Sequence, residues 1–226
     1  QTAAWWVERV HPEDRQRVGD GFHRALDDPR TINWEDEYRF RHANGSYRMV
    51  YDRGHIVRDG VGRALRMVGA MQDVTERRQT DDRMRQLSLA VEQSSNGILI
   101  TDLQGRIEYI NPAGLASSGY SVEETLGRNP GFLSSGQTPP DTYRQLWQAL
   151  GEGRTWHGEF INRRKNGEIY IEAETISPVR QADGRVSHYI GIKENVTERN
   201  QREEMSAFLA HAGTAPGGEP FFRALA

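Results

Sequence analysis

Few side chains in this sequence are placed to do chemistry, and their spacing does not spell out a reaction. The chain contains no cysteine, which excludes disulfides, thiolate metal sites, a cysteine nucleophile and any photochemistry that needs a thiol. Carboxylates are more plentiful: Asp102, Glu108, Glu159, Glu172 and Glu174 sit in or beside segments that read as strands. Glu172 and Glu174 alternate, so they project from one face of their strand. On a strand taken to lie at a sheet edge, such a pair reads as solvated surface rather than as an acid–base couple. His157 and His188 also fall on expected strands, where a lone histidine reads as a solvated or hydrogen-bonded side chain. No nucleophile has a base beside it, and there is no phosphate loop or metal-spaced histidine pair. The residues therefore assign no catalytic group and no metal site, and they leave binding as the chemistry to explain.

The elements that would position a binding site are set by an internal repeat. Residues 34–79 align without a gap on 156–201 at a constant spacing of 122 positions (34 to 156, 76 to 198). Trp34/Trp156, Glu37/Glu159, Asn44/Asn166, Gly45/Gly167, Arg58/Arg180 and Gly69/Gly191 fall in register, and the run ends in Val-Thr-Glu-Arg in both copies. Each copy reads as a three-stranded meander; in the second the strands are 156–163, 169–179 and 185–192. Asn166-Gly167 between two strands signals a hairpin of type I′, in which both central residues take positive φ. Asp73 and Asn195, each followed three residues later by glutamate, predict a capping box opening a helix.

Upstream of its meander the second copy adds a hairpin over 97–102 and 107–110, short helices at 112–118 and 122–126, and a longer helix at 141–150. The first copy has no equivalent of that hairpin, so the chain is expected to begin inside its first module. Polar helices at 74–92 and 196–209 carry narrow apolar stripes suited either to parallel pairing between chains or to packing on their own module. A linker follows Leu209, and 220–226 reads as the opening helix of a further domain. The net charge of −3 does not suggest a polycation for nucleic acid. No apolar run approaches the ~20 residues of a membrane span, and the start of the chain is not a signal peptide, so a cytoplasmic location is expected.

The stretches Ile98–Asp102, Gly105–Pro112, Gly119-Tyr120, Gly127–Asn129, Trp156–Glu159, Asn162–Gly167 and Gly191–Glu198 resemble a PAS domain. In the first copy His11–Arg15, Glu37–Arg41, Asp52–Gly54 and Gly69–Glu76 are similar to the PAS-fold subfamily of bacterial sensor proteins. The resemblance implies an α+β fold: a five-stranded antiparallel sheet with helices on one face, enclosing a ligand pocket. On that basis residues 1–78 are the C-terminal portion of one PAS domain, 79–93 a linker helix, 94–199 a complete PAS domain, and 200–226 a helix and linker toward a following domain.

The resemblance also implies a homodimer through the flanking helices, and an output domain elsewhere in the chain, either a histidine kinase or a cyclic di-GMP enzyme. For the second domain, the thiol position of blue-light flavin PAS domains is Pro130, the arginine after it is Gly131, and their last-strand glutamine aligns with Lys193. Helix 141–150 lacks the histidine that haem would need. Ser134–Thr138, Tyr143–Trp147 and Trp156–Asn162 are similar to FAD-containing PAS redox sensors. That similarity implies Trp147 lining the isoalloxazine, Asn162 hydrogen-bonding its polar edge, and Thr138 and Asn129 helping to hold it. Leu99 and Pro130 replace polar residues of that pattern. The alternative is a cofactor-free dimerisation and relay module, in which Trp156, Trp147 and Asn162 serve packing. In the first copy Trp5, Trp6, Trp34 and Tyr38 read as core, and no ligand is assigned.

Overall fold

The structure is a computed structural model describing residues 3–212. It divides into two compact units, residues 1–87 and 88–226. The first holds α1 (Ala3–Arg9), α2 (Arg15–Asp27), β1 (Asn33–Arg41), β2 (Tyr47–Arg58) and β3 (Ala64–Asp73). Helix α3 (Thr75–Glu92) leads into the second unit. There follow β4 (Gly97–Thr101), β5 (Ile107–Ile110), α4 (Pro112–Ser118), α5 (Val122–Thr125), a 3-10 turn (Pro130–Leu133) and α6 (Pro140–Gly151). The meander β6 (Trp156–Arg163), β7 (Ile169–Arg180) and β8 (Val186–Asn195) and helix α7 (Thr197–Ala212) complete it. The expected linker after Leu209 is helical as far as Ala212; the rest of it, and the helix expected at 220–226, lie outside the described residues.

The second unit is an α+β fold whose antiparallel sheet runs β5-β4-β8-β7-β6, with α4 against β4 and α6 against β6. The first unit has a three-stranded sheet, β1-β2-β3. Its strands are the repeat equivalents of β6, β7 and β8. Where β8 pairs with β4 as well as β7, β3 pairs only with β2 among the described residues.

Five strand connections are built alike. In the loops opening at His42, Asp59, Asp102, Arg164 and Gln181, the first residue donates its N–H to the carbonyl four residues on, and accepts from the glycine three residues on. That glycine has positive φ in each, and no other residue type does. The Asn166-Gly167 connection is therefore a turn closed by a glycine bulge, not the expected type I′ turn, in which Asn166 too would need positive φ. Asn166 instead accepts the Glu168 N–H through its side chain at 3.0 Å.

The predicted capping boxes are replaced by a simpler arrangement. Asp73 and Asn195 accept the N–H of Thr75 and Thr197 two residues on, at 2.9 and 3.0 Å. Glu198 does not reach back; it pairs with Arg202 within the helix. The threonines do the tying, since Thr75 Oγ1 accepts from Met49 N–H and Thr197 Oγ1 from Ile171 N–H, both at 2.9 Å.

The first unit's interior is aromatic. Trp6 packs on Phe22, Trp34 and Tyr38, and Val18, Ile56 and Val50 complete the cluster. In the second unit Asn111, fully buried, joins three elements: its Oδ1 accepts from Ile98 and Gly114 N–H, and its Nδ2 donates to the Val91 and Asn96 carbonyls. Removing one partner of a buried hydrogen bond costs ~1–3 kcal/mol for each group left unpaired. Asn111→Ala is expected to lower stability by roughly 3 kcal/mol or more, read as a lower urea midpoint at unchanged slope; a change within experimental error would show that water replaces the amide.

Candidate functional site

Four strands of the second unit turn alternate residues to one face. These are Leu99 and Thr101 on β4, Tyr189, Gly191 and Lys193 on β8, Glu174 and Ile176 on β7, and Phe160 and Asn162 on β6, and all line one cavity. Opposite them α6 presents Tyr143, Leu146, Trp147 and Leu150, a stripe at helical spacing. Gly105, Asn129, Pro130, Gly131 and Ser134 close the remaining side, and the enclosed volume is ≈ 150 Å³.

The cavity is apolar except where two charged side chains meet. Lys193 and Glu174 are direct cross-strand partners, and the ammonium lies 2.9 Å from Glu174 Oε1 and 3.4 Å from Glu172 Oε2. Glu172 also receives Asn162 Nδ2 at 2.8 Å and Ser117 Oγ at 3.2 Å. All three charged residues are buried, at 2%, 7% and 5% exposure for Glu172, Glu174 and Lys193. The reading of Glu172 and Glu174 as a solvated edge pair is overturned, because β7 lies between β6 and β8.

Burial pushes the Glu174 carboxyl above the usual glutamate range, and the Glu172 charge adds to this while Lys193 opposes it. Burial alone would lower the Lys193 ammonium, but Glu174 and then Glu172 reverse that and hold it charged.

The residues singled out from the sequence are placed as follows. Trp147 lines the cavity and is 51% exposed, so it stands where the cavity meets solvent. Asn162 lines the floor with its amide nitrogen already given to Glu172. Asn129 lines the rim, and its Oδ1 accepts the Gly131 N–H at 2.9 Å, opening the 3-10 turn. Thr138 is not part of the lining: its hydroxyl accepts from Ile161 N–H at 2.8 Å and donates to the Ile161 carbonyl, fastening the loop before α6 to β6. His157 bonds Thr175, and His188 lies 3.1 Å from Glu108 at the surface. Among the described residues no three His, Asp or Glu side chains converge as metal ligands.

A sequence profile described as PAS domain matches residues 95–198, and one described as PAS fold matches residues 1–71. The chain belongs to the PAS family. It carries two PAS modules in tandem. The nitrogen fixation regulatory protein of Klebsiella oxytoca is 34% identical over 131 residues, covering 56% of this chain and 26% of that protein. Biofilm dispersion protein BdlA of Pseudomonas aeruginosa is 28% identical over 215 residues, 90% of this chain and 51% of that one. The chain thus spans about a quarter and about half of these two relatives. Among solved structures, an RNA-binding light-oxygen-voltage receptor superposes with a TM-score of 0.51 at 18% identity, covering 94% of this chain and 90% of that one, a likeness of fold.

Two buried carboxylates around one ammonium make Lys193 the member whose loss costs most. Lys193→Met is expected to destabilise the second PAS domain by ~3–5 kcal/mol at neutral pH, because it leaves buried charge unanswered. Urea midpoints should recover as pH falls and Glu174 takes up a proton. In the wild type the Glu174 contribution has the same sign: present below the ordinary glutamate range, and lost as pH rises through its raised value. A Lys193→Met protein as stable as the wild type at neutral pH would show that the array is solvated.

Proposed function

We propose that this chain is a sensory module of a bacterial signalling protein. Its second PAS domain takes a small planar ligand in the cavity, and α3 and α7 pass the occupied state to an output domain elsewhere in the chain. The observation that carries this reading is an apolar cavity with one charged, hydrogen-bonding end, which is how ligand sites combine burial with orientation. The hydroxyl–imidazole pairs Thr175–His157 and Ser187–His188 do not line the cavity, and we assign no catalytic step to them. No helix among the described residues is long and apolar enough to cross a membrane; a cytoplasmic location, and a histidine kinase or cyclic di-GMP enzyme as output, complete the proposal.

FAD is the cofactor we propose, supported by the nitrogen fixation relative and by the character of the lining. A cavity of ≈ 150 Å³ holds a benzene-sized molecule, whereas ligand pockets usually start near ~300 Å³. The flavin ring therefore enters only if the mouth widens, and Trp147, half exposed on α6, is the side chain free to move and stack on it. Asn162 and Lys193 offer polar partners at the floor and Asn129 at the rim, while Thr138 acts through the loop it fastens. Bound FAD supplies a reversible electron acceptor, which would make the module a redox sensor.

A second reading, a cofactor-free dimerisation and relay module, draws on the helices. Met84 and Leu87 on α3, and Met205, Phe208 and Leu209 on α7, are exposed apolar side chains at helical spacing. The two readings part on an absorption spectrum of the full chain, taken as purified and after incubation with FAD. Oxidised-flavin bands that survive gel filtration are expected, with Trp147→Ala and Asn162→Ala each weakening FAD binding by about tenfold, ~1.4 kcal/mol. A folded protein that stays colourless after incubation overturns the flavin assignment. Loss of a sedimenting dimer in Leu87→Asp or Phe208→Asp would then favour the relay module.

A further inference from the structure

The charged end of the cavity has two carboxylates for one ammonium, and the pair is not used equally. Glu172 is answered three times, by Lys193, Asn162 and Ser117, and does not line the cavity. Glu174 lines it and is answered among the described residues by Lys193 alone. A carboxylate removed from water without a compensating charge or donor costs several kcal/mol. Glu174 shares that one ammonium with Glu172, so any further partner for its carboxylate must come from the cavity.

The repeat supplies an independent observation. The position equivalent to Glu174 in the first module is Asp52, also a carboxylate, and there the Tyr38 hydroxyl donates to Asp52 Oδ2 while Trp6 Nε1 donates to Tyr38 at 2.7 Å. The equivalent of Tyr38 in the second module is Phe160, which has no hydroxyl and lines the cavity. One copy answers its carboxylate with the Tyr38 hydroxyl; the other answers it with Lys193, which stands where the first has Met71 and is shared with Glu172, so the place of the hydroxyl is open to a ligand.

We propose that Glu174 is the specificity-determining residue of the cavity, selecting a flat aromatic ligand whose leading edge donates N–H hydrogen bonds, as an amidine or a cyclic imide does, over an anionic ligand of the same shape. The inference rests on reading the cavity as the ligand site, but not on the ligand being a flavin. An arriving anion would place three negative groups around Lys193, whose charge is already shared by two. A cationic donor restores balance. The charged groups around Glu174 are Lys193 from β8 and Glu172 from its own strand; Tyr170 lies beyond Lys193, Tyr143 and Tyr189 complete the titratable lining, and α6 and β4 bring no charge into the cavity. Burial raises the Glu174 pKa, against the opposing charge of Lys193.

Benzamidine and benzoate share one shape and differ in charge, and their titrations into the full chain can be followed through the methyl resonances of Leu99 and Ile176. Benzamidine should bind at least about tenfold more tightly, ~1.4 kcal/mol, tightening as pH rises through the Glu174 pKa. In Glu174→Gln, checked for native circular dichroism, that preference should fall to within about twofold. Equal or tighter binding of benzoate, a preference unchanged in the variant, or no methyl shift with either probe overturns the proposal. A second measurement needs no ligand: carbon-13 carboxyl spectra should show one glutamate titrating above the ordinary range, absent in Glu174→Gln, and ordinary titration of that carbon shows a solvated carboxylate and overturns the proposal. A protein that refuses FAD yet prefers benzamidine through Glu174 loses the flavin reading and keeps this one. FAD binding without that preference does the reverse.

Discussion

The buried ammonium of Lys193 is the constraint around which the second module is arranged. An ion of this kind is tolerated in a sheet interior only when its partners are fixed in place, because desolvation exceeds what a loosely held pair returns. The cross-strand pairing of Glu174 with Lys193 meets that demand, and the diagonal approach of Glu172 adds a second counter-charge. Glu172 is in turn held by Asn162 from β6 and Ser117 from α4, so the charge is anchored from β8, β7, β6 and a helix at once. A slip of one residue between β7 and β8 would turn these side chains to the opposite face. The array thus fixes the register of the sheet that forms the cavity floor.

The two modules show one fold with opposite interiors. Both place a carboxylate at the same strand position, and both lead their last strand into a helix through a threonine clasped to the preceding strand. The first fills the space above its carboxylate with Trp6, Phe22, Trp34 and Tyr38, whose edge-on contacts leave the hydroxyl of Tyr38 aimed at Asp52. The second has Phe160 in place of Tyr38, with Ile176 and Leu99 beside it on the floor, and a cavity results. Aromatic burial is worth more than the same area left hollow. The open interior therefore lowers the second module's stability, a cost that a bound ligand would offset.

Much of this fold was legible because strand alternation and glycine turns are local signals. The repeat, all three strands of each meander and the opening hairpin at 97–110 were placed to within a few residues. The turn at Asn166 was misread because Asn-Gly suits two hairpin loops that differ in length and in the φ of the asparagine. The array at the site was missed for a different reason. In Ile169–Ile176 apolar residues occupy both parities, and in 189–193 Ile190 and Ile192 read as the inward pair although Tyr189, Gly191 and Lys193 line the cavity. Hydrophobicity alone then points the wrong way, and only the direct pairing across β7 and β8 shows that Glu174 meets Lys193. One signal did exist: Lys193 stands at the position of the last-strand glutamine in the blue-light flavin PAS pattern. Thr138 was legible as a polar residue near the site, but not as a clamp, since its partner is a backbone 23 residues away.

The charged floor also lies close to the way out of the module. Lys193 is three residues from Val196, which is fully buried and whose N–H bonds the Ile171 carbonyl at 2.9 Å, immediately before α7 begins. Ile171 adjoins Glu172 in β7, and its own N–H is taken by Thr197. The residues that answer the buried charge and those that fix where α7 leaves the sheet are therefore neighbours along the same two strands, ~10 Å apart at the rise of a β-strand. A ligand that changed the charge balance at Glu174 and Lys193 would act on the pairing of β7 with β8 next to this clasp. The coupling need only be ~1–3 kcal/mol to bias a helix between two arrangements. The chemistry that recognises the ligand and the joint that would transmit its presence are then consequences of one buried ion.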